Sequence, residues 1–489
     1  MSRGTRSFTG ANEKALTGFK HYYIWLVLVA GAMLCQLLLA ACGDNTATPA
    51  TATTAAATTA AAASATTAAA PGAATTAPAA PAANLTGTVR ILIHQNKPLV
   101  DFMNKQNEKF KQKYPNVTVD LSVVTPDVLD QSIQTRLTAG DLDLFENTQA
   151  FTNAPQEFMK GVDDPTWVQW IKGGLLEDLT NQPFIKNYDS NALKDASSYQ
   201  GKIYAVSTGR YAYSGVFYNK DIFSQNNLKV PTTYAEFIAL ADALKAKNIA
   251  PMTAGGKDGW PVGVVGLPAG LLLGSYPDQQ ALVKNIWTGQ TKFNDTRSQT
   301  YFDRGKQLLG YYETGVASID YQTAPGRFAS GKAAMYPGGT WDAPTILTAN
   351  PKMNLGYFPL PASDNAADNK IISGKYDVQW YVPAKSPNKA AALAWLEFFS
   401  QQDNYADYVN TVGILSNQPS VNLQADYAKE ITPYLPTFKV AFSEMMLAPK
   451  NVGKYAGFAL NNYTPFGDVN DSKDLAAKSE ADWESALKK

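Results

Sequence analysis

The sequence predicts an α/β fold whose first domain carries a mostly parallel sheet, and three observations predict it. Thr88–Ile93 (TVRILI) is a short β-rich run, and Leu99, Phe102, Met103, Phe110 and Tyr114 then recur at helical spacing before Pro115. Val117, Val119 and Leu121 follow in strict alternation with polar residues, as a half-buried strand requires. Strand, helix and strand in that order make the unit from which parallel sheets are built. With 489 residues the chain is too long for one ordinary core, so two or more domains are expected.

Composition narrows the function. Lys plus Arg and Asp plus Glu both number 42, giving no net charge, whereas a nucleic-acid binder carries a basic excess. Only two histidines and two cysteines are present, too few for a His-rich metal site or a cysteine zinc cluster. No metal and no cofactor are expected.

The N-terminus is a leader. Arg3, Arg6, Lys14 and Lys20 stand against one acid, Glu13, and the apolar run Ile24–Ala41 follows, the pattern of an export signal. The alternative is an uncleaved anchor, since 18 residues just span a bilayer. Leu39-Ala40-Ala41-Cys42-Gly43 looks like a bacterial lipobox, which implies cleavage before Cys42 and a lipid on its sulfur. Removing residues 1–41 takes four basic residues and one acid, leaving 38 against 41 and a formal charge of −3. Cys35 leaves with the leader, so the folded part has no disulfide. From Thr46 to Ala83 every residue is Ala, Thr, Pro, Ser or Gly, which offers nothing to bury and reads as a flexible spacer.

Further along, Asp141–Phe145 gives a third strand. His94, Gln95 and Asn96 sit just past the first strand, and Glu146, Asn147, Thr148 and Gln149 just past the third. Ligands of open α/β sheets bind outside the carboxyl ends of strands, so these two polar clusters mark a binding face. Ordinary loop polarity is the competing explanation. Gly201–Val206 and Gly215–Asp221 are β-rich runs flanking Gly209-Arg210-Tyr211-Ala212-Tyr213, where the chain is expected to cross between domains. Thr233 with Glu236 makes a capping box for a helix that buries Phe237, Leu240 and Leu244.

Two glycine-rich loops carry aromatics: Ala254–Pro261 with Trp260, and Tyr336–Asp342 with Trp341. Tyr376-Asp377-Val378-Gln379-Trp380-Tyr381 is a strand-like aromatic–polar run, and Ala390–Phe399 a strongly helical one buried on more than one side. Gly326–Ala333 nearly spells a P-loop, but Ala333 follows Lys332 where Mg²⁺ needs a hydroxyl, so no nucleotide site is expected. No Gly-x-Ser-x-Gly is present and one histidine survives processing, which removes serine-hydrolase logic.

Four phrases in order resemble one family. They are Gly174-x-Leu176-x-x-Leu179; Tyr218-Asn219-Lys220-Asp221-x-Phe223 with Pro231-Thr232-Thr233-Tyr234-x-Glu236-Phe237; Phe328-x-x-Gly331-Lys332-Ala333-Ala334-Met335 with Gly338-x-x-Trp341; and Ser386-Pro387-Asn388-Lys389 with the Trp395–Phe399 helix. Behind a lipobox and spacer, they resemble the extracellular solute-binding proteins of ABC importers, in the sugar-binding group similar to maltose-binding protein. The resemblance runs from about Thr88 to the C-terminus. It implies a periplasmic-binding-protein-like fold: two α/β lobes, a central ligand cleft and multiple hinge crossovers. Carried over, lobe one is 86–209 and 375–412, lobe two 216–363 and 416–489, behind a lipidated Cys42 and spacer at 42–85.

The same resemblance implies a monomeric binding module, not an enzyme. It would capture a carbohydrate outside the cell membrane, held there only by its lipid, and deliver it to a transmembrane permease. Flat aromatics cover a sugar's C–H faces while Asp, Glu, Asn, Gln and Arg take its hydroxyls. Trp341 is the first candidate platform, because it matches a family position used that way; Trp260 and Trp380 are the others, and Trp395 reads as core. Polar candidates are Glu146 and Asn147, Asp342, Arg210 or Tyr211, then Asp377 and Gln379, with His94. Asp342 fits an N-cap equally well. The alternatives are a surface glycoside hydrolase, whose paired carboxylates the sequence does not exclude, and a binding protein for a non-sugar solute.

Overall fold

The computed structural model describes residues 85–488. The leader, Cys42 and the Thr46–Ala83 spacer lie outside the described residues. In chain order the strands of its two large sheets are β1 (Gly87–His94), β2 (Val117–Val124), β3 (Leu144–Asn147), β4 (Val206–Ala212), β5 (Gly215–Asn219) and β6 (Ala250–Met252). There follow β7 (Ala333–Pro337), β8 (Leu355–Pro359), β9 (Ser373–Tyr381), β10 (Leu415–Ser416) and β11 (Lys439–Val440).

Seven strands form the first sheet, in the order β10-β4-β9-β3-β1-β2 with β11 added on β9. The β1, β2 and β3 set is parallel, as the strand–helix–strand reading requires, and β9 runs antiparallel to both β3 and β4. The connecting helix Lys97–Lys113 starts at Asn96, whose side chain accepts from the Leu99 N–H, and buries Leu99, Phe102, Met103 and Phe110. Its packing partner, Lys389–Ser400, is covered on several sides: Trp395, Leu396 and Phe399 are all sealed in one core with Val89, Ile91 and Ile93. Fully burying such side chains contributes about 1.5–3 kcal/mol each.

The second sheet has four strands, β8-β5-β7-β6. Its main core is built by the capped helix Tyr234–Ala246, where the Thr233–Glu236 capping box is present, by Thr296–Leu309 and by the C-terminal helix Ser472–Leu487. The near-P-loop segment is reversed in order: helix Ala324–Ala329 comes first and β7 second, so no strand feeds a phosphate-cradling helix.

The chain passes between the sheets directly after β4, through Tyr213 and Ser214 into β5. It returns along 360–372 into β9, and β10 again belongs to the first sheet. A further strand of that sheet, β11, lies inside the range 416–489 that the sequence reading assigns to the second lobe. Among the described residues no helix is long and apolar enough to cross a membrane.

Candidate ligand-binding cleft

One wall is built at the carboxyl ends of β1 and β3. Their register pairs Leu92 with Phe145, which brings His94, the last residue of β1, beside Glu146. The His94 backbone N–H donates to Glu146 Oε1 at 2.6 Å and the ring Nδ1 lies 2.5 Å from the same oxygen. Glu146 is fully buried, and its Oε2 has no partner among the described residues. A sealed carboxylate oxygen is costly to leave unpaired, so this atom is a place where a donor would be welcome. Burial pushes the His94 ring down, but Glu146 raises it further, and it ends above the ordinary histidine value.

The wall continues on β9. Lys375 Nζ lies 2.8 Å from Asp377 Oδ2, while Asp377 Oδ1 accepts the Val378 N–H at 2.7 Å. Burial lowers the Lys375 ammonium, yet Asp377, Glu444 and Glu146 together hold it above its usual value. Lys375 is paired across the sheet with Tyr211, and its ammonium sits 5.5 Å from the centre of the Trp341 ring. That is a cation–π distance.

The other wall is the glycine-rich turn after β7. A Cβ at Gly339 would collide with the Trp341 ring, so the turn can fold back under its own indole only with glycine there. Trp341 meets Tyr211 perpendicularly at 5.7 Å, Tyr213 at 5.7 Å and Trp260 at 6.3 Å. Trp260, 38% exposed, packs on Tyr321 at 4.7 Å. Beneath them Asp342 is sealed and accepts the hydroxyls of Tyr321 at 2.7 Å and Tyr336 at 3.0 Å. Burial raises its carboxyl to about 7 in spite of the two hydroxyl donors. It caps nothing: the following helix, Ala343–Ala349, receives no side-chain bond from it.

The structure therefore gathers His94, Glu146, Asp377, Tyr211, Trp341, Asp342 and Trp260 into one chain of contacts, and it separates the other sequence candidates. Trp380 is a core residue, fully buried against Trp395 at 5.1 Å and Phe399 at 6.2 Å. Gln379 is sealed too, bonded to Ser197 and Ser207. Asn147 is buried and donates to Asp130 while accepting the Gln149 N–H. Arg210 is paired with Tyr376 and lies over Phe438 at 5.2 Å, on the neighbouring register position from the Tyr211–Lys375 pair that meets Trp341.

Val378 has φ of 52°, a conformation a β-branched residue rarely adopts, and the ladder skips it between Asp377 and Gln379. Alternation nonetheless carries through, because Val378, Trp380 and Val382 all lie in the first lobe's core. Sequence reasoning also missed Lys375, Glu444, Tyr213 and Tyr321. Lys375 adjoins the aromatic–polar run and could have been included; Tyr321 comes from a turn and Glu444 from the short helix Phe442–Met445, neither with a motif of its own. Among the described residues no group of three or more His, Cys, Asp or Glu side chains is placed to hold a metal ion.

Two α/β lobes, with a charged wall on strand ends facing an aromatic turn, define a two-lobed binding protein. The sequence profile of the bacterial extracellular solute-binding protein family matches residues 96–406, and the chain belongs to that family. Among curated relatives, the multiple sugar-binding protein of Streptococcus mutans is 25% identical over 354 residues, spanning 72% of this chain and 79% of that protein. A probable sugar-binding periplasmic protein of Rhizobium meliloti is 26% identical over 185 residues, 37% of this chain and 44% of that one. Among solved structures, the solute-binding protein RafE in complex with raffinose has a TM-score of 0.66 at 20% identity, covering 82% of this chain and 100% of that one. A chitin oligosaccharide binding protein gives 0.65 at 22% identity, covering 83% and 100%. At such identities the likeness concerns the two-lobed fold.

Proposed function

We propose that this chain captures a carbohydrate between its lobes and hands it to the transmembrane permease of an ABC importer, without chemical turnover. The observation that carries this reading is the Trp341–Trp260 aromatic wall facing the Glu146, Asp377 and Lys375 groups. Such a pairing of C–H platforms with hydroxyl partners suits a sugar ring. The names borne by the family relatives, sugar-binding in several cases, support the same choice of ligand. Closure follows if the ligand prefers the closed state, which shifts an existing equilibrium.

His94, Glu146, Lys375 and Asp377 would bind hydroxyls, with Trp341 as the inner platform and Trp260 as the outer one. Asp342 supports Trp341 from below. Lobe one is taken as 86–209 and 375–412 with the β10 and β11 pieces, and lobe two as the remainder of 216–489. The protein acts as a monomer, tethered outside the membrane by a lipid on Cys42 and the spacer that follows it.

Calorimetry of the chain against mono-, di- and trisaccharides and polyols tests this. The expected result is one tight hit, with the sugar recovered unchanged, that weakens about 50-fold or more in Trp341→Ala, roughly 2.3 kcal/mol. No heat with any sugar would overturn the carbohydrate assignment, and released monosaccharide would overturn the non-catalytic one.

A further inference from the structure

The segment between β3 and helix Thr166–Lys172 leaves its own lobe and comes back. Phe151 is at home in the first lobe, stacked on Trp167 at 4.2 Å. Eight residues on, Met159 is 6% exposed and belongs to the second lobe's largest core, every other buried member of which comes from residue 216 or beyond. Phe158 and Val162 pack on the margin of that core, as do Met445, Met446 and Leu447. Tight backbone bonds hold the tip, Met159 N–H to Gln156 and Lys160 N–H to Phe158. Trp167, Val168 and Trp170 then re-enter the first lobe's core.

Two polar ties flank this insertion. The Thr152 hydroxyl donates to the Glu444 carbonyl at 2.8 Å, and Asp163 pairs with Lys450 at 2.6 Å. The Asp163–Lys450 pair is well exposed on both sides and contributes little. The Thr152 tie is different in kind, because Glu444 also faces the cleft: its carboxylate accepts the Tyr213 hydroxyl at 2.7 Å, and Tyr213 is one of the rings against Trp341. One short stretch, Phe442–Leu447, thus touches the strap with its backbone and the cleft with a side chain.

We propose that Met159 determines ligand affinity from outside the cleft: the strap 151–163 latches the first lobe onto the second lobe's core, so that the docked strap and the closed cleft are one state. This rests on the reading that the cleft closes on a ligand. Methionine suits a latch that docks and undocks, being unbranched and tolerant of imperfect sockets. A ligand that binds only the closed state binds more weakly in proportion as that state is depopulated. Weakening the latch therefore lowers affinity with every cleft residue intact.

Hydrogen exchange read by mass spectrometry, on the full-length chain in detergent micelles and with no sugar present, tests the latch directly. Met159→Ser is expected to speed exchange about 10-fold in 151–163, 441–447 and 338–342, leaving β1, β7 and helix 234–246 unchanged. Asp163→Asn is expected to change the same segments less than about 2-fold. Faster exchange throughout the second lobe's core, or none at 441–447, would overturn the proposal. If the serine variant does not fold, Met159→Ala must give the same local pattern at smaller amplitude. A titration with raffinose then adds the affinity readout, expected to weaken about 10-fold through faster dissociation. Failure of the wild type to bind raffinose would count against that one sugar as the ligand, and the exchange pattern, obtained without it, still decides the latch.

Discussion

The wall on the first sheet carries its polar groups on strand ends, where the register of β1, β3 and β9 fixes each one, and almost every charge there is matched. His94 leans on Glu146, and Lys375 sits among Asp377, Glu444 and Glu146. The facing wall is a turn of small residues that folds an indole over a buried acid, with its polarity hidden beneath aromatic rings. Strand ends hold directional groups firmly, because neighbouring ladders leave little room to shift. A glycine-rich turn presents broad apolar faces instead. Orientation belongs to the first wall and contact area to the second.

Removing the cation of the first wall should produce the largest effect. Lys375→Met leaves Asp377, Glu146 and Glu444 without the ammonium they share, with His94 still against Glu146. Breaking a mostly buried pair from one side costs about 3–5 kcal/mol; with 22% of the Lys375 side chain exposed, about 3 kcal/mol is expected from denaturant unfolding. A loss below about 1 kcal/mol would mean that solvent screens this wall, and the contrast between the walls would collapse.

The second wall should respond to pH through Asp342. Its carboxyl is raised to about 7, so between about pH 4 and 7 the folded protein keeps a proton that the unfolded chain gives up. Stability therefore declines as pH rises through that window, by an amount on the order of 2–4 kcal/mol, and is flat with respect to this group above it. Asp342→Asn should flatten the decline. The remaining slope, above about pH 6.5, belongs to the other wall: His94 is raised, so its contribution is present below that pH and is lost as the ring deprotonates. Thermal melts of both proteins from pH 4.5 to 7.5 make the comparison, and parallel curves would show that Asp342 stays ionised throughout.

How far these walls were legible from sequence follows from how each is built. Periodicity exposes strands and helices, so β1, β2, the Lys97–Lys113 helix and the Thr233 cap could all be read, along with the polar residues at strand ends. The Trp341 turn could be found because glycines and an aromatic stand together. Trp380 could have been sorted by its period, since it alternates with Val378 and Val382, which share its core. Tyr321, from a turn, and Glu444, from the short helix Phe442–Met445, reach the site only through tertiary folding. The Met159 insertion was invisible for the same reason: a lone Phe-Met in a polar loop has no period to betray which core receives it.

The smallest effect expected is at the cleft mouth and bears on which wall sets ligand length. Trp341 is wedged among Tyr211, Tyr213 and Trp260, so its truncation disturbs several neighbours. Trp260 is 38% exposed and rests on Tyr321, so Trp260→Ala should leave the melting temperature within about 2 °C. Its cost should appear in binding, about 3–10-fold, or roughly 1 kcal/mol for one open stacking face. The two rings are 6.3 Å apart and inclined at 48°, too far and too tilted to cover one face of a single sugar ring together. The loss in Trp260→Ala should therefore be seen with a di- or trisaccharide and be absent with the corresponding monosaccharide. Equal losses for both would place the ligand's single ring between the tryptophans and reassign the outer platform to the inner site.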